Sequence, residues 1–487
     1  MKAFSEQEVI QQAMDSVLKA SARVEKCPHR LGYHFMAPAF WINDPNGFIQ
    51  FDGEYHLFYQ HHPYSADWGP MHWGHAKSKD LVYWEHLPIA LAPKANEGCF
   101  SGSAVDDNGI FTLIYTEHDS NRSPRQVQCL ATSEDGINFE KYIKNPVISG
   151  PPPGESDDFR DPKVWKYEDL WYMVIGSGID GKGKVLLYKS EDLKNWKYVG
   201  VVLESDGSQG YMWECPDLFP LEEDKFVLIV SPMGMAEVGR KNIYFIGDFN
   251  YETGKFIPES SGELDYGFDF YAAQTLLDDK GRRIVIGWMD MWGATMPSKE
   301  NGWAGAMSLP REISLHPDGK LTFKPIPELK KLRKKQNQFK DIILDNNSNR
   351  FLEDIKGGGL EVIVDIDLSR TSSTMFGMIL RASDNQLEQT RVIFNQKTKE
   401  LTVNRNKSGK GDGGIYGHTL EGCLEKNLKL HIFVDRSSVE IFANDGQVVM
   451  SNRIYPDPTS INLDFFKTYG EVYVTTLDVW ELSSVWG

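Results

Sequence analysis

Short apolar runs separated by polar turns recur through residues 31–327 at a nearly constant spacing. The runs Tyr55–Tyr59, Phe111–Tyr115, Trp171–Ile175, Phe226–Val230 and Ile284–Trp288 have the length and the aliphatic and aromatic content of buried strands. A turn precedes each one: Phe51-Asp52-Gly53, Asp107-Asn108-Gly109, Tyr167-Glu168-Asp169, Glu222-Glu223-Asp224 and Asp279-Lys280-Gly281. Ahead of each turn stands a polar opening: Asn43-Asp44-Pro45, Phe100-Ser101-Gly102-Ser103, Arg160-Asp161-Pro162, Glu214-Cys215-Pro216-Asp217 and Tyr271-Ala272-Ala273-Gln274. From Asp44 to Ser103, Asp161, Asp217 and Gln274 the steps are 59, 58, 56 and 57 residues. Three units also share Ser-x-Asp-x-x-x-aromatic (Ser78/Asp80/Trp84, Ser133/Asp135/Phe139, Ser190/Asp192/Trp196), a turn in which the Asp accepts backbone N–H groups. Five such units predict a five-bladed β-propeller, in which the five openings converge on one axis.

The pattern changes at both ends. Residues 1–30 predict a helical extension with apolar positions at Val9, Met14, Val17 and Leu18. The Lys-rich stretch 328–350 reads as a linker or packing helix. From 351 to 487, alternating strands at Leu360–Leu368, Met375–Ala382, Arg391–Asn395, Leu428–Phe433, Val439–Ala443 and Val472–Trp480 predict a β-sandwich, so the chain as a whole is all-β.

Composition narrows the partners. A net charge of −17 opposes nucleic acid and anionic membrane surfaces, and there is no apolar run long enough to span a bilayer. The five cysteines are scattered without a CxxC pair, and no signal-like segment opens the chain, which predicts a cytoplasmic protein without disulfides. His72 and His75 would face opposite sides of a strand, so no metal site is expected. Gly176 to Gly183 mimics a phosphate loop but is followed by an apolar strand, which makes it a hairpin.

The convergent openings supply three carboxylates, Asp44, Asp161 and Glu214. Two or more carboxylates beside aromatics point to glycoside hydrolysis, because mutual repulsion lets one stay ionised while another carries a proton. On a regular strand Arg160 and Asp161 would face opposite sides.

With these residues the chain resembles glycoside hydrolase family 32, the invertases and sucrose-6-phosphate hydrolases. Trp41-Ile42-Asn43-Asp44-Pro45-Asn46-Gly47 is similar to its nucleophile motif, Arg160-Asp161-Pro162 to its transition-state-stabilising motif and Glu214-Cys215-Pro216 to its acid/base motif. Val434 to Phe442 resembles the signature of its C-terminal sandwich. The resemblance implies a retaining β-fructofuranosidase with Asp44 as nucleophile, Glu214 as acid/base and Asp161 as transition-state stabiliser, needing no cofactor. It implies sugar contacts from Trp41, Asn43, Gln60, Trp68, Phe100, Ser101, Arg160, Tyr271 and Trp288. The implied substrates are sucrose, sucrose 6-phosphate and short fructo-oligosaccharides. A fructosyltransferase and a non-catalytic carbohydrate-binding propeller are the alternatives, and the sequence leaves assembly into a homo-oligomer open.

Overall fold

The computed structural model describes residues 5–486 apart from 95–96, 223–224, 236–238, 346–350 and 425. Each repeat folds into one antiparallel sheet of four strands, some with an added short strand. Each sheet is headed by the strand that carries the polar opening: Phe40–Phe51, Glu97–Asp107, Phe159–Tyr167, Met212–Pro220 and Tyr271–Leu277. These five strands adjoin one another in order and the fifth returns to the first, so the propeller ring is closed. The two-residue strand Trp303–Ala304 completes the closure by pairing in parallel with Phe40 and Trp41. The apolar runs are the second strands, buried on both faces between neighbouring sheets. The turns lie between first and second strands as read, except that residues 223–224 of the fourth lie outside the described residues.

Every inner strand slips register against its neighbour at the opening itself, and the first slips a second time between Asn46 and Ile49. The slips fall between Ile42 and Pro45, Cys99 and Gly102, Arg160 and Lys163, Glu214 and Asp217, and Tyr271 and Gln274. Asp161, Cys215 and Ala272 sit there at φ of 64°, 48° and 53°, the left-handed conformation of a β-bulge. A bulge leaves backbone N–H groups without a ladder partner, and buried donors must find another. Side chains of adjacent sheets supply it. Asp161 N donates to Thr116 Oγ1 (3.0 Å), Cys215 N to Asp161 Oδ2 (3.0 Å), Ala273 N to Asn242 Oδ1 (3.1 Å) and Phe48 N to Gln274 Oε1 (2.8 Å). The polar openings therefore staple one sheet to the next.

The Ser-x-Asp turns form as expected: Asp80, Asp135 and Asp192 each accept two backbone N–H bonds at 2.8–3.1 Å. At the amino end the helix Glu6–Val24 begins with a Ser5/Glu8 capping box. Of the expected apolar positions, Val9, Met14 and Val17 are half-buried and Leu18 is not. Ala13 and Val24 are buried, Val17 and Ala20 pack with them, and Leu18 is 73% exposed. Among the described residues no helix is long and apolar enough to cross a membrane.

Of the stretch 328–350, residues 333–344 form a strand, and residues 346–350 lie outside the described residues. A short 3-10 turn, Pro327–Leu332, leads into the strand Arg333–Leu344, which pairs along its length with the final strand Val472–Leu482. That strand belongs to a six-stranded sheet which packs on a five-stranded one through Val362, Phe376, Val392, Ile432, Ile441 and Val474. Of the basic run that suggested a helix face, Lys330 and Lys331 fall in the 3-10 turn, Arg333 pairs with Glu361, and Lys334 and Lys335 are exposed positions of an edge strand, a usual defence against edge pairing.

A buried polar cluster joins sandwich to propeller. His34 Nδ1 lies 2.8 Å from Asp435 Oδ2 and its Nε2 lies 2.9 Å from Glu440 Oε1, both fully buried. With a carboxylate on each nitrogen the ring must be doubly protonated. Asp435 also accepts from Gly32 N, and Glu440 from Leu309 N and from Arg311 Nη2 (2.6 Å). Burial works against the charged imidazole, but the bonds to Asp435 and Glu440 outweigh it and raise the His34 pKa. Burial is likewise overcome at Asp435 by His34, and at Glu440, chiefly by Arg311, down to about 2. His34 thus stabilises below its unfolded value, losing this as pH rises through its raised pKa. The two acids stabilise above theirs, losing this as pH falls toward about 2 for Glu440. Glu440→Gln is expected to cost about 3–5 kcal/mol of stability, the usual result of stranding a buried charge. It should also flatten the acid limb of Tm against pH and leave kcat within twofold, because no group of the cluster lines the cavity described next. A folded variant with kcat reduced a thousandfold would disprove this.

Candidate active site

The bulges turn consecutive side chains of three inner strands toward the axis, where they line one cavity of about 430 Å³. Asn43, Asp44 and Gln60 come from the first sheet, Phe100, Ser101, His118 and Gln126 from the second, Arg160 and Asp161 from the third, and Glu214 and Arg240 from the fourth. Trp68 and Trp292 complete the mouth. Arg160 and Asp161 both reach the cavity, contrary to the alternation of a regular strand, because Asp161 is the bulge residue. Below the carboxylates the axis narrows to a cavity of about 10 Å³ bounded by Asp161, Lys163, Cys215, Asp217 and Gln274.

Each carboxylate is held differently. Asp44 Oδ2 accepts from Ser101 Oγ at 2.6 Å and Oδ1 from Asn43 Nδ2 at 3.0 Å. Trp41 Nε1 in turn fixes Asn43 Oδ1 at 2.7 Å. Glu214 Oε1 takes both Nε and Nη2 of Arg160 (3.1 and 3.0 Å), and Oε2 takes Tyr271 Oη (2.7 Å) and Arg240 Nη1 (3.3 Å). Asp161 Oδ2 accepts the Cys215 backbone N–H, and the Cys215 thiol lies 3.7 Å from both Asp161 Oδ2 and Asp44 Oδ2.

Burial pushes Asp44 above the usual carboxylate range, the Ser101 hydroxyl opposes this, and the charge of Glu214 adds to it. Burial lifts Asp161 to about 7 against Arg160, with Glu214 and Asp44 adding. Burial and the neighbouring carboxylates push Cys215 and Tyr271 well up, so both stay protonated and can donate. Burial lowers His118, whose ring lies flat on Phe100 at 4.5 Å. The arrangement combines clustered carboxyl groups of unequal environment with an aromatic mouth, which suits acid/base and nucleophilic work on a neutral polyhydroxy substrate.

Of the residues expected to touch substrate, Asn43, Gln60, Trp68, Phe100, Ser101 and Arg160 line the cavity. Trp41, Tyr271 and Trp288 do not bound it. They are 2%, 1% and 0% exposed and form a layer behind the walls, in which Trp288 packs against Trp41 at 5.7 Å and Trp292 at 5.1 Å. His118, Gln126, Arg240 and Trp292 were not foreseen. They lie outside the repeated openings, on second or third strands or in connections, and have no motif of their own. His72 and His75 are buried apart, with His75 stacked on Phe58 at 4.0 Å and His72 bonded to Pro70 O. Gly176 to Gly183 forms a hairpin between Leu170–Ile179 and Lys182–Ser190.

Residues 34–325 match the family model of the glycosyl hydrolases family 32 N-terminal domain, and residues 328–481 match that of the family 32 C terminal domain. The chain is 41% identical to a sucrose-6-phosphate hydrolase of Zymomonas mobilis over 499 aligned positions, covering 96% of this chain and 95% of that protein. It is 38% identical to a raffinose invertase of Escherichia coli, covering 95% and 98% of the two chains. The solved Bombyx mori GH32 β-fructofuranosidase BmSUC1 superposes with a TM-score of 0.84 at 35% identity over 99% of each chain, and a mutant of it is known in complex with sucrose.

Proposed function

The chain belongs to glycosyl hydrolase family 32, and from that membership we propose that it is a retaining β-fructofuranosidase acting on sucrose and sucrose 6-phosphate. The observation that carries this reading is the meeting of Asp44, Asp161 and Glu214, from three separate sheets, around a single cavity with an aromatic mouth. Asp44 is the nucleophile: Ser101 and Asn43 fix its plane at the wall of the cavity that would receive the fructosyl ring. Glu214 is the acid/base. Arg160 and Tyr271 hold it in one orientation, so the same carboxyl group serves the leaving oxygen in the first step and the incoming water in the second. Asp161, tied beside Asp44 through Cys215, accepts from ring hydroxyls as positive charge develops at C2.

Among the cavity's cations, Arg160 is engaged by both Glu214 and Asp158, whereas Arg240 reaches Glu214 through Nη1 alone and lies across the rings of Tyr271 and Trp292. Arg240 is therefore the group suited to a 6-phosphate on the glucosyl unit. The deciding measurement is kcat/KM for sucrose, sucrose 6-phosphate, raffinose and kestose, with product analysis at high sucrose. Hydrolysis of the first two is expected, with any preference for the phosphate lost in Arg240→Ala. Predominant transfer to sugar would make the protein a fructosyltransferase, and binding without turnover would make it a carbohydrate-binding propeller.

A further inference from the structure

One wall of the cavity is built by an unusual piece of chain. In the fifth sheet the connection from Arg283–Trp288 to Arg311–Leu315 takes residues 289–310, where the corresponding connections of the second and third sheets are short loops. This connection carries Trp292 to the cavity mouth, where the ring packs against Trp41 (5.8 Å) and Trp288 and beneath the guanidinium of Arg240 (5.4 Å). Trp292 is only half-buried, and Gly293 beside it is at φ 83°. On its carboxyl side a tight turn closed by Ala294 N to Met291 O comes before the 3-10 helix Pro297–Asn301. So short a turn does not hold a tryptophan in one place by itself.

The sandwich does that work. At its Gly-rich hairpin loop, residues 408–414, Asp412 Oδ2 accepts the backbone N–H of Thr295 at 2.7 Å. The loop is itself anchored: Lys410 N donates to Tyr455 O, Gly414 N to Asn406 Oδ1, and a Cβ at Gly409 would lie 1.8 Å from Tyr455 O, so only glycine permits that approach. On the other side of Trp292, Asp290 is buried in the field of Arg453 from the sandwich. Trp292 thus lies three residues from a hydrogen bond to a domain that supplies no cavity residue.

We propose that Asp412 is a positioning residue for substrate binding, through which the sandwich holds Trp292 at the cavity mouth and so sets affinity for the group attached to the fructosyl unit. The inference rests on the β-fructofuranosidase reading for its substrate. The bond contributes to binding and not to chemistry, because Trp292 stands at the mouth and not among the carboxylates. Its loss changes KM and spares kcat.

The test is a double-mutant cycle on the full chain with sucrose and kestose. Asp412→Ala should raise KM for sucrose about fivefold, the scale of one ordinary net hydrogen bond, with kcat within twofold and Tm within about 1 °C. Asp412→Asn, which keeps an acceptor oxygen for Thr295 N–H, should restore most of the loss. Trp292→Ala should raise KM further, and adding Asp412→Ala to it should change nothing more. Additive effects in the double variant, an unchanged KM in Asp412→Ala, or equal losses in kcat and kcat/KM would each overturn the proposal. Absence of turnover in the parent enzyme would instead overturn the function on which the assay depends.

Discussion

Asp44→Asn is expected to abolish sucrose turnover while leaving the protein folded, able to bind sugar, and at least as heat-stable as the parent. The amide keeps the shape of the carboxylate and can still accept from Ser101 Oγ, which lies 2.6 Å from Asp44 Oδ2. It is a very poor nucleophile toward C2, so no covalent intermediate should form. A loss of about 10⁴-fold in kcat corresponds to about 5.5 kcal/mol of transition-state stabilisation. The stability outcome follows from the sign of the pKa shift. Burial, with Glu214 adding, raises the folded-state pKa of Asp44, so its ionised form at neutral pH is disfavoured by folding and its removal relieves that cost. Sites that store such strain trade stability for activity. Calorimetric titration with a fructoside, a melting curve and a rate measurement check the three parts. Hydrolysis by the folded variant at more than about a hundredth of the parent rate would remove Asp44 from the nucleophile role.

Glu214→Ala separates the two duties assigned to one residue. Without the acid, sucrose should be cleaved very slowly, whereas a fructoside with a good leaving group needs little protonation and should still load the enzyme. Release of the intermediate then becomes limiting, since no base activates water. Removing the side chain also strips Arg160 and Arg240 of the anion they share at 3.0 and 3.3 Å, leaving a cationic space where the carboxylate stood. Azide is an anionic nucleophile that needs no base. It should be drawn into that space, accelerate turnover and yield a fructosyl azide of retained β configuration, the sum of two inversions at C2. An inverted product would mean direct attack and would end both the covalent role of Asp44 and the double duty of Glu214.

Much of this architecture was legible along the chain because it is written in local, repeated chemistry. A strand buried on both faces needs a continuous apolar run, and a tight turn needs Gly, Asp or Asn, so five copies of each mark five sheets wherever they stand. The three carboxylates were legible for the same reason: each occupies a repeated position that closure of the ring must bring to the axis. The Ser-x-Asp turns, whose bonds span two or three residues, formed as read.

Other features were settled by contacts that no local pattern encodes. The stretch 328–350 has the composition of a solvated helix, yet residues 333–344 become an edge strand because Val472–Leu482, more than a hundred residues later, offers them a ladder. Helix propensity is a weak prior against a full row of backbone bonds. The helix Glu6–Val24 turned Leu18 outward because the surface it meets accepts Ala13, Val17, Ala20 and Val24.

At the site, the sequence by itself determined which carboxylates meet, since Asp44, Asp161 and Glu214 lie in openings repeated at a fixed interval. Only the tertiary structure decided how they face one another. The bulges at Asp161, Cys215 and Ala272 break the two-residue alternation of a strand, and they persist because Thr116, Asp161 and Asn242 in neighbouring sheets take up the backbone N–H groups that the bulges release. Likewise only the packed ring could show that Trp41, Tyr271 and Trp288 stand behind the cavity wall while His118, Arg240 and Trp292 form it. Periodicity reports which positions are equivalent, because equivalence is a property of spacing along the chain. Which of two equivalent side chains meets solvent, substrate or another ring depends on what folds against it, and that partner lies on another sheet, about thirty or more residues away.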